Sequence, residues 1–351
     1  MAHAEQTHPS DREGNLLSTL GDFVMFLFGL IGASLALWAV LPMPDVPEVR
    51  AKLAWLAAHG NEYDTIFIGS SRVRRQISPA IFDARMREQG VPTRSYNLGI
   101  DAMTFPELGY VLELFLERKP RRLRFVVADL NALRRKLGPA NEAESLRAVY
   151  WHDLRRTAEV CEAIWLDASK GEPWSEALPL IQGHLALMLR HYSNLGRGTE
   201  FLPWATRPDG RQIKREKKSR GFYPVDAVIP QLDRAAYEDQ MALKRTSGDR
   251  PMTLDPVLER SLQQFTARVE SVGARAFFFV GATMSTRRLP QPQAINGLRP
   301  VTFIFDDPSR FPELFNAEHR YDLQHLNRRG AEIFTAMLAD SVAAQLGMAD
   351  R

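Results

Sequence analysis

Residues 64–72 read Asp-Thr-Ile-Phe-Ile-Gly-Ser-Ser-Arg, and they contain the clearest indication of the fold class. Asp64–Ile68 forms a short, largely apolar run, which is typical of a β-strand buried on both faces. Gly69 closes the run, so the chain can turn there and present the polar residues that follow. A strand of this kind belongs in a parallel sheet that helices cover on both sides.

The same pattern recurs along the chain. Further strands are predicted at 95–98, 123–128, 276–280 and 301–305. Helices are predicted between them: Ser78 and Pro79 are typical of a helix start, and another helix follows Asn327 and packs the C terminus against the sheet. This alternation predicts an α/β fold with a mostly parallel sheet flanked by helices, whose functional loops lie at the carboxyl ends of the strands.

Between about residues 137 and 254 the alternation stops. The stretch is too long for a structureless loop in a compact domain, so it predicts a largely helical insertion. Within it, residues 207–220 contain five more basic than acidic residues, which predicts an exposed loop. Contact with anionic headgroups or an acidic glycan is the alternative interpretation. Because the positive charge is confined to this segment, we predict no nucleic-acid partner.

The chain of 351 residues has an apolar segment near its N terminus, Phe23–Leu41, without a formal charge. As a helix it spans about 28 Å, enough for a transmembrane helix. The preceding segment is longer and less basic than a secretory leader, which favours an uncleaved anchor; a buried core helix is the alternative. The predicted organisation is a tail at 1–22, a transmembrane helix at 23–41, a linker and helix at 42–60, and an α/β domain at 61–351 interrupted at 137–254.

Two short motifs carry reactive side chains. Gly69-Ser70-Ser71-Arg72 follows the first predicted strand, where a parallel sheet presents residues to a ligand crevice. Asp322-Leu323-Gln324-His325 precedes the last helix, and residues three apart share one face of a helical turn, so Asp322 is placed to hold Nδ1 of His325. A serine nucleophile needs an adjacent base, and that base needs an orienting acceptor. We predict a catalytic triad of Ser71, His325 and Asp322.

On these motifs the sequence resembles the SGNH (GDSL-like) hydrolase superfamily. It is most similar to the membrane-anchored branch, which includes proteins of teichoic acid D-alanylation and alginate O-acetylation. The resemblance covers about residues 60–135 and 255–345. Ser71 matches the serine nucleophile of the family, and Asp322 and His325 match its closing Asp-x-x-His block. The resemblance implies a flavodoxin-like SGNH fold for the α/β domain.

The resemblance also implies an oxyanion hole with three donors. These are the backbone N–H groups of Ser71 and Gly99 and the side chain of Asn131. Gly99 ends a stretch, Asn97-Leu98-Gly99, that resembles the glycine block of the family. Asn131 is the only residue retained from the family's Gly-x-Asn-Asp block. The loss of one such donor typically lowers turnover by a factor of about 10² to 10³.

The implied function is a membrane-anchored serine esterase or O-acyltransferase that acts on a cell-envelope polysaccharide or another acylated envelope substrate. No cofactor and no metal is predicted. The alternative is a non-catalytic partner or glycan-binding subunit of a multi-pass membrane O-acyltransferase. A third interpretation is a phosphate-recognising module that binds its anion at the Gly-Ser-Ser turn.

The resemblance implies a single-pass protein of the bacterial inner membrane, with its main domain on the periplasmic or outer side. The charges that flank the apolar segment favour the opposite orientation, because Arg12 precedes it and Arg50 and Lys52 follow it. Large domains cross the membrane largely regardless of such charges.

Three arginines beside the predicted nucleophile and one cysteine are further candidates for a functional role. Arg72, Arg74 and Arg75 follow the predicted nucleophile, and we expect them either to be solvated or to steer an anionic polymer to the site. Cys161 is the only cysteine, and we expect it to be a small buried hydrophobe rather than a nucleophile.

Overall fold

A parallel β-sheet forms the centre of the α/β domain. The computed structural model describes residues 9–40, 46–130, 146–194, 216–229, 233–246, 256–284 and 300–349. Within these residues the strands are β1 (Thr65–Gly69), β2 (Ser95–Gly99), β3 (Phe125–Asp129), β4 (Arg275–Val280) and β5 (Thr302–Ile304). They form one sheet in the order β2-β1-β3-β4-β5, and every neighbouring pair is parallel. The predicted α/β class with a parallel sheet is therefore confirmed.

Helices connect the strands and cover both faces of the sheet. Those that the structure describes are α1 (Pro9–Val40), α2 (Pro47–His59), α3 (Ser71–Gln76), α4 (Pro79–Glu88), α5 (Phe105–Leu116), α6 (Leu146–Tyr150), α7 (Leu154–Ser169), α8 (Trp174–Ser193), α9 (Arg234–Thr246), α10 (Pro256–Glu270) and α11 (Arg328–Ala349). Helices α2, α5 and α10 pack on one face, and α3, α4 and α11 pack on the other. In β1, Ile66 and Ile68 point into the first layer and Phe67 into the second, as the period of a strand requires.

The register brings three strand ends together. Gly69, the last residue of β1, pairs with Gly99, the last residue of β2. On the other side of β1, Ile68 pairs with Ala128, so Asp129 lies beside the end of β1. All residues of these three strands are buried. Side chains that follow the strands therefore start from a rigid edge, which is where ligand crevices form in parallel sheets.

The N-terminal helix α1 is apolar over most of its length. Its segment Ser18–Leu37 has a mean hydropathy of 2.0 and is long and apolar enough to cross a membrane. Most of its large apolar side chains are exposed. One polar residue of the segment, Ser34, is buried, and its hydroxyl donates a hydrogen bond to the carbonyl oxygen of Tyr192 at 3.1 Å. The predicted apolar helix is thus present.

The described part of the predicted insertion contains α6, α7, α8 and α9. Helices α7 and α8 form an antiparallel hairpin, because the backbone N–H of Leu154 at the start of α7 donates to the hydroxyl of Tyr192 at the end of α8. At the other end of the hairpin, the rings of Trp165 and Trp174 lie 4.6 Å apart. The two rings pair with each other, and both tryptophan side chains remain exposed.

Residues 216–221 pack along the outer edge of β2, and Tyr223 continues onto α3. The backbone N–H of Asn97 in this edge strand donates to the carbonyl oxygen of Arg220 at 2.9 Å, so the segment protects a strand edge that would otherwise be open. Glu216 is only 4% exposed and accepts a hydrogen bond from the hydroxyl of Tyr96 at 2.7 Å. The prediction of an exposed loop at 207–220 is therefore wrong at Glu216, and residues 207–215 lie outside the described residues.

Candidate active site

The predicted nucleophile Ser71 is the first residue of α3, and a tight turn connects it to β1. Ser70 is the N-cap of this helix, and its hydroxyl accepts from the backbone N–H of Arg72. Gly69 allows the turn because a Cβ atom there would lie 2.6 Å from Cβ of Asp129, closer than carbon atoms pack. The backbone N–H of Ser71 belongs to the first helical turn, whose N–H groups have no partner within the helix. At the strand end, Ser71 therefore presents its hydroxyl and a backbone N–H that has no acceptor within the helix.

The structure brings Ser71, His325 and Asp322 together. The Ser71 Oγ atom lies 2.7 Å from His325 Nε2, although the two residues are 254 positions apart in the chain. His325 Nδ1 lies 3.0 and 2.9 Å from the two carboxylate oxygens of Asp322. With Nδ1 donating its proton to Asp322, Nε2 is the acceptor for the Ser71 hydroxyl. This is the geometry that the sequence predicted for a nucleophile, a general base and an orienting acid.

Asp322 is fixed by its own backbone turn. Its Oδ1 atom accepts from the backbone N–H groups of Gln324 and His325, at 2.6 and 2.7 Å. The chain bends here instead of forming the helical turn that the spacing suggested, and it is this side-chain-to-backbone turn that brings the Asp322 carboxylate to Nδ1. Burial alone would raise the pKa of Asp322, but the hydrogen bonds from His325 and Gln324 outweigh it and hold the pKa below 3.8. Asp322 is therefore an anion at neutral pH.

A tyrosine supports the imidazole from one side. The ring of Tyr321 is stacked on that of His325, with centroids 5.2 Å apart and planes inclined by 10°. Burial raises the pKa of Tyr321 to about 12, so its side chain is uncharged at neutral pH. A neutral ring stacked on the imidazole restricts rotation of the base without competing for its protons.

The arginines that follow the nucleophile are paired. Arg75 Nη2 lies 2.7 Å from an Asp101 carboxylate oxygen, and Arg74 contacts the same carboxylate and also Glu48 at 2.9 Å. Arg72 donates to the side-chain oxygen of Gln324 at 3.1 Å. Burial would raise the pKa of Asp101, but the hydrogen bonds and charges of the two arginines lower it. Arg74 and Arg75 are therefore paired with carboxylates. They are not simply solvated, and they do not offer unpaired charges to an anionic polymer.

Arg320 is a buried arginine in the loop that carries the acid and the base. The side chain has no solvent exposure, and its Nη1 and Nη2 atoms donate to the carbonyl oxygens of Leu314 and Leu323, at 2.9 and 3.0 Å. Its Nε atom donates to the carbonyl oxygen of Asp322 at 3.4 Å. Burial lowers the pKa of Arg320 to about 10, which leaves it charged at neutral pH. The sequence did not single out Arg320, because an arginine in an irregular segment has no pattern that indicates burial.

Gly99 does not have the predicted role in this structure. Its backbone N–H donates to the side-chain oxygen of Asn97 at 2.9 Å, so it is not available to an oxyanion. The residue is a glycine for a packing reason, since a Cβ atom would collide with the backbone of Arg74 in α3. The assignment of Gly99 to the oxyanion hole is therefore wrong for this arrangement.

Asn97 connects β2 to the helix that carries the nucleophile. Its side-chain amide donates to the carbonyl oxygens of Val73 and Ile77 at the end of α3, at 2.6 and 2.7 Å. Asn97 is completely buried, so these bonds form without competition from water. The Asn97-Leu98-Gly99 block thus fixes the position of α3 through its asparagine. Asn131, the third predicted oxyanion donor, lies outside the described residues.

Cys161 has a raised pKa because of burial, and it is partly exposed on α7. A thiol with a raised pKa is a poor nucleophile at neutral pH, which agrees with the expectation that it is not catalytic. Its partial exposure differs from the fully buried position that we expected.

Comparisons with known proteins place the chain in no family: a scan against protein-family models and a search of curated proteins each found no match. What the fold and the site define is a parallel α/β domain with a Ser-His-Asp arrangement at the carboxyl end of its first strand.

Proposed function

We propose that this protein is a membrane-anchored serine esterase or O-acyltransferase of the SGNH type. The observation that carries the proposal is the 2.7 Å contact between Ser71 Oγ and His325 Nε2, with Asp322 on the other imidazole nitrogen. These three side chains come from two distant parts of the sequence. The sheet and the helices form the core without them, so packing of the core does not explain this hydrogen-bonded series. Nucleophile, base and orienting acid in this order are what acyl transfer through a serine requires.

The proposed reaction proceeds through an acyl-serine. Ser71 Oγ attacks the ester carbonyl carbon and gives its proton to His325 Nε2, and the carbonyl oxygen becomes an oxyanion that the Ser71 N–H stabilises. His325 then protonates the departing alcohol oxygen as the bond to the acyl carbon breaks. Water or a sugar hydroxyl next gives its proton to His325 and attacks the acyl carbon. His325 returns this proton to Ser71 Oγ as the bond between the acyl carbon and Oγ breaks, which regenerates Ser71. Water produces hydrolysis, and a sugar hydroxyl produces acyl transfer.

The proposed substrate is an acylated polysaccharide or other acylated component of the cell envelope. Two features support this choice: α1, which is apolar enough to hold the domain at a membrane, and the resemblance of the site motifs to the envelope branch of the SGNH superfamily. We propose the bacterial inner membrane as the location, with the main domain on the periplasmic or outer side, where such polysaccharides are modified.

The second candidate function is a non-catalytic glycan-binding or partner subunit of a multi-pass membrane O-acyltransferase. One observation favours it: the N–H of Gly99, which should donate to an oxyanion in an SGNH enzyme, is bound to Asn97. Against it stands the hydrogen-bonded triad, because a binding subunit has no need of a base aligned on a serine.

A serine-reactive fluorophosphonate tests the proposal. We expect the full-length protein in detergent or membranes to form a phosphonyl adduct at Ser71, located by mass spectrometry of the modified peptide. Ser71→Ala should abolish labelling, whereas the matched variant Ser70→Ala should keep it, since Ser70 caps α3 and contacts Asp129 but not His325. Absence of labelling, with the fold intact by circular dichroism, would favour the binding subunit.

Acyl acceptors distinguish the two reactions. With a chromogenic acetyl ester as donor, an esterase releases acetate at the same rate with or without added polysaccharide. An O-acyltransferase instead transfers the acetyl group to the polysaccharide, which mass spectrometry detects. In both cases Ser71→Ala should abolish the reaction.

A further inference from the structure

The hairpin of α7 and α8 exposes an unusually apolar face. On α8, Leu178, Leu185, Leu189 and Tyr192 follow each other at helical spacing and are 56%, 43%, 64% and 52% exposed. On α7, Leu154 and Trp165 are 65% and 56% exposed. Large apolar side chains scattered singly on a surface need no explanation, but an exposed row of them marks a binding surface.

The two helices contribute to one continuous face. At one end the backbone N–H of Leu154 donates to the hydroxyl of Tyr192 at 3.1 Å, and at the other end Trp165 and Trp174 stack edge to face. The exposed apolar residues of the helices therefore meet at both ends of the hairpin. We refer to this surface, Leu154, Trp165, Trp174, Leu178, Leu185, Leu189 and Tyr192, as the hairpin face.

Two charged residues of α7 contact the α/β domain rather than the hairpin face. Arg155 is paired with Glu113 of α5 at 2.7 Å, and Glu162 is paired with Arg260 of α10 at 2.7 Å. These pairs attach the hairpin to the α/β domain. On α8, Gln182 is the exposed polar residue between Leu178 and Leu185, and it is uncharged. Between Leu178 and Leu185 the hairpin face therefore carries no exposed charge, whereas Glu176 and Arg190 border it nearer its two ends.

The hairpin face adjoins the apolar helix α1. Ser34 donates to the carbonyl oxygen of Tyr192 at 3.1 Å, and the side-chain amide of Asn194 donates to the carbonyl oxygen of Ser34 at 3.1 Å. Ser34 lies three residues before Leu37, the end of the described segment that is apolar enough to cross a membrane, and seven residues before Leu41, the end of the predicted transmembrane helix. At 1.5 Å per residue, this contact is about 4.5 Å inside the first of these ends and about 10 Å inside the second. The Tyr192 end of the hairpin is therefore at the depth of the membrane boundary whenever α1 spans a bilayer.

We propose that the hairpin face docks on the lipid bilayer in which α1 is anchored, with its leucines at the boundary between headgroups and acyl chains. The inference rests on the membrane anchoring in the proposed function. Three observations select lipid as the occupant: continuity with α1, tryptophan side chains at one end and a tyrosine side chain at the other, and leucines between them. Interfacial helices bury such a face about 5 to 10 Å deep, which agrees with the depth of the Ser34 contact. The domain is thereby held in a fixed orientation to the membrane.

Site-specific fluorescence in vesicles tests this docking. The full chain with Cys161→Ala receives one new cysteine, at Leu178→Cys on the hairpin face or at Ala84→Cys as a matched control. Ala84 is an exposed residue of α4, on the opposite face of the sheet. Each is labelled with an environment-sensitive fluorophore and reconstituted into vesicles of phosphatidylcholine and phosphatidylglycerol.

We expect a lipid-borne quencher to reduce emission of the Leu178→Cys label by about twofold or more, and iodide in water to quench the Ala84→Cys label instead. Adding Leu185→Gln and Leu189→Gln should move the Leu178→Cys label back to water, with the helix content unchanged because both leucines are exposed. Equal access of iodide to both labels would overturn the proposal. Protection in native membranes but not in pure lipid vesicles would also overturn it, since a protein would then cover the face.

Two controls separate this inference from the proposals on which it rests. Resistance of the full chain to alkaline extraction reports insertion of α1, and fluorophosphonate labelling of Ser71 in the same vesicles reports the active site. An inserted, labelled protein whose hairpin face stays in water refutes the docking alone. A protein that inserts without labelling Ser71 refutes the enzymatic proposal and leaves the docking measurement valid.

Discussion

The two sides of the candidate active site are built in different ways. Ser71 is positioned by regular structure, because β1, Gly69 and α3 define where a residue at the helix start must lie. His325 and Asp322 lie in an irregular loop between two short 3₁₀ turns and α11, closed by an isolated bridge between Arg320 and Leu326. The nucleophile depends on packing of secondary structure, whereas the base and the acid depend on individual hydrogen bonds.

In the loop that carries Asp322 and His325, hydrogen bonds from buried polar side chains hold the backbone in place of regular secondary structure. Arg320 donates to the carbonyl oxygens of Leu314 and Leu323, which lie in two backbone segments. The side chain of Asn327 donates to the carbonyl oxygen of Glu318 at 2.8 Å and accepts from the backbone N–H of Gly330 at 3.1 Å. Gly330 allows this closeness, because a Cβ atom there would collide with the carbonyl oxygen of His319. The base side should therefore be the more sensitive of the two to loss of single hydrogen bonds.

The largest effect should come from Asp322→Asn. The amide keeps the shape of the carboxylate but favours the wrong tautomer of His325 and gives no charge to stabilise the imidazolium. We expect the rate of fluorophosphonate labelling of Ser71 to fall by about 10⁴-fold, with little change in stability. Asp226→Asn, an exposed aspartate that pairs with Arg328, is the control and should keep the rate. A loss below tenfold in Asp322→Asn would mean that His325 does not need the acid.

Arg320→Met should have the next largest effect. The variant removes the donors to the carbonyl oxygens of Leu314 and Leu323, and buried acceptors without partners cost about 1 to 3 kcal/mol each. Relief of the buried charge offsets part of this cost, so we expect a net loss of about 2 kcal/mol in the free energy of unfolding, measured with urea. A loop displaced by about 1 Å should slow labelling of Ser71 about 10²-fold.

The matched control for this variant is Arg310→Met. Arg310 lies in the same region and contacts the Phe311 ring, but it is exposed. It should label at the rate of the wild type. If Arg320→Met lost stability without any change in the rate, the buried arginine would hold the fold but not the base, and the contrast between the two sides of the site would fail.

The sequence predicts the nucleophile side of the site more fully than the side that carries the base and the acid. The nucleophile was predicted because an apolar run, a glycine and a polar residue describe a strand, a turn and a helix start by local rules. Asp322 and His325 were predicted as a pair by spacing, yet the turn that aligns them was not, since side-chain-to-backbone bonds leave no periodic signal. The same limit explains the wrong role for Gly99: nothing in the sequence shows that the Asn97 side chain accepts from its N–H.

On the nucleophile side, Asn97→Ala should cost stability but little reactivity. It removes two donors to the last carbonyls of α3 and the acceptor of the Gly99 N–H, which predicts a loss of about 2 to 3 kcal/mol in the free energy of unfolding. Asn61→Ala, an exposed asparagine that accepts from the backbone N–H of Arg121, should lose less than about 1 kcal/mol.

The labelling rate of Asn97→Ala should change by less than about tenfold, because the β1–α3 turn still fixes Ser71. A loss as large as that of Arg320→Met would show that the nucleophile also depends on single hydrogen bonds. A rate above that of the wild type would show that the freed N–H of Gly99 then serves the oxyanion, as the resemblance implied.

The smallest effect concerns the pH dependence of the base side. The pKa of Asp322 lies below 3.8 in the folded protein, so the unfolded chain takes up this proton at a higher pH than the folded one. The stabilisation that the carboxylate provides is therefore complete above about pH 4 and is lost as the pH falls through the lowered pKa. Because Asp322 is 43% exposed, solvent screening keeps this contribution below about 1 kcal/mol.

Urea unfolding of the wild type and of Asp322→Asn between pH 6 and pH 2.5 measures this contribution. The wild type should be the more stable of the two at pH 5, where the anionic Asp322 accepts hydrogen bonds from His325 and Gln324, and the difference should fall as the pH drops towards 2.5 because protonated Asp322 resembles the amide. A variant matched on the nucleophile side, Asn97→Ala, removes hydrogen bonds to backbone groups that do not titrate, so its difference from the wild type should stay constant over this range. A difference for Asp322→Asn that persists at pH 2.5 would place its effect in the shape of the turn rather than in the charge, and the acid would then act on His325 only through position.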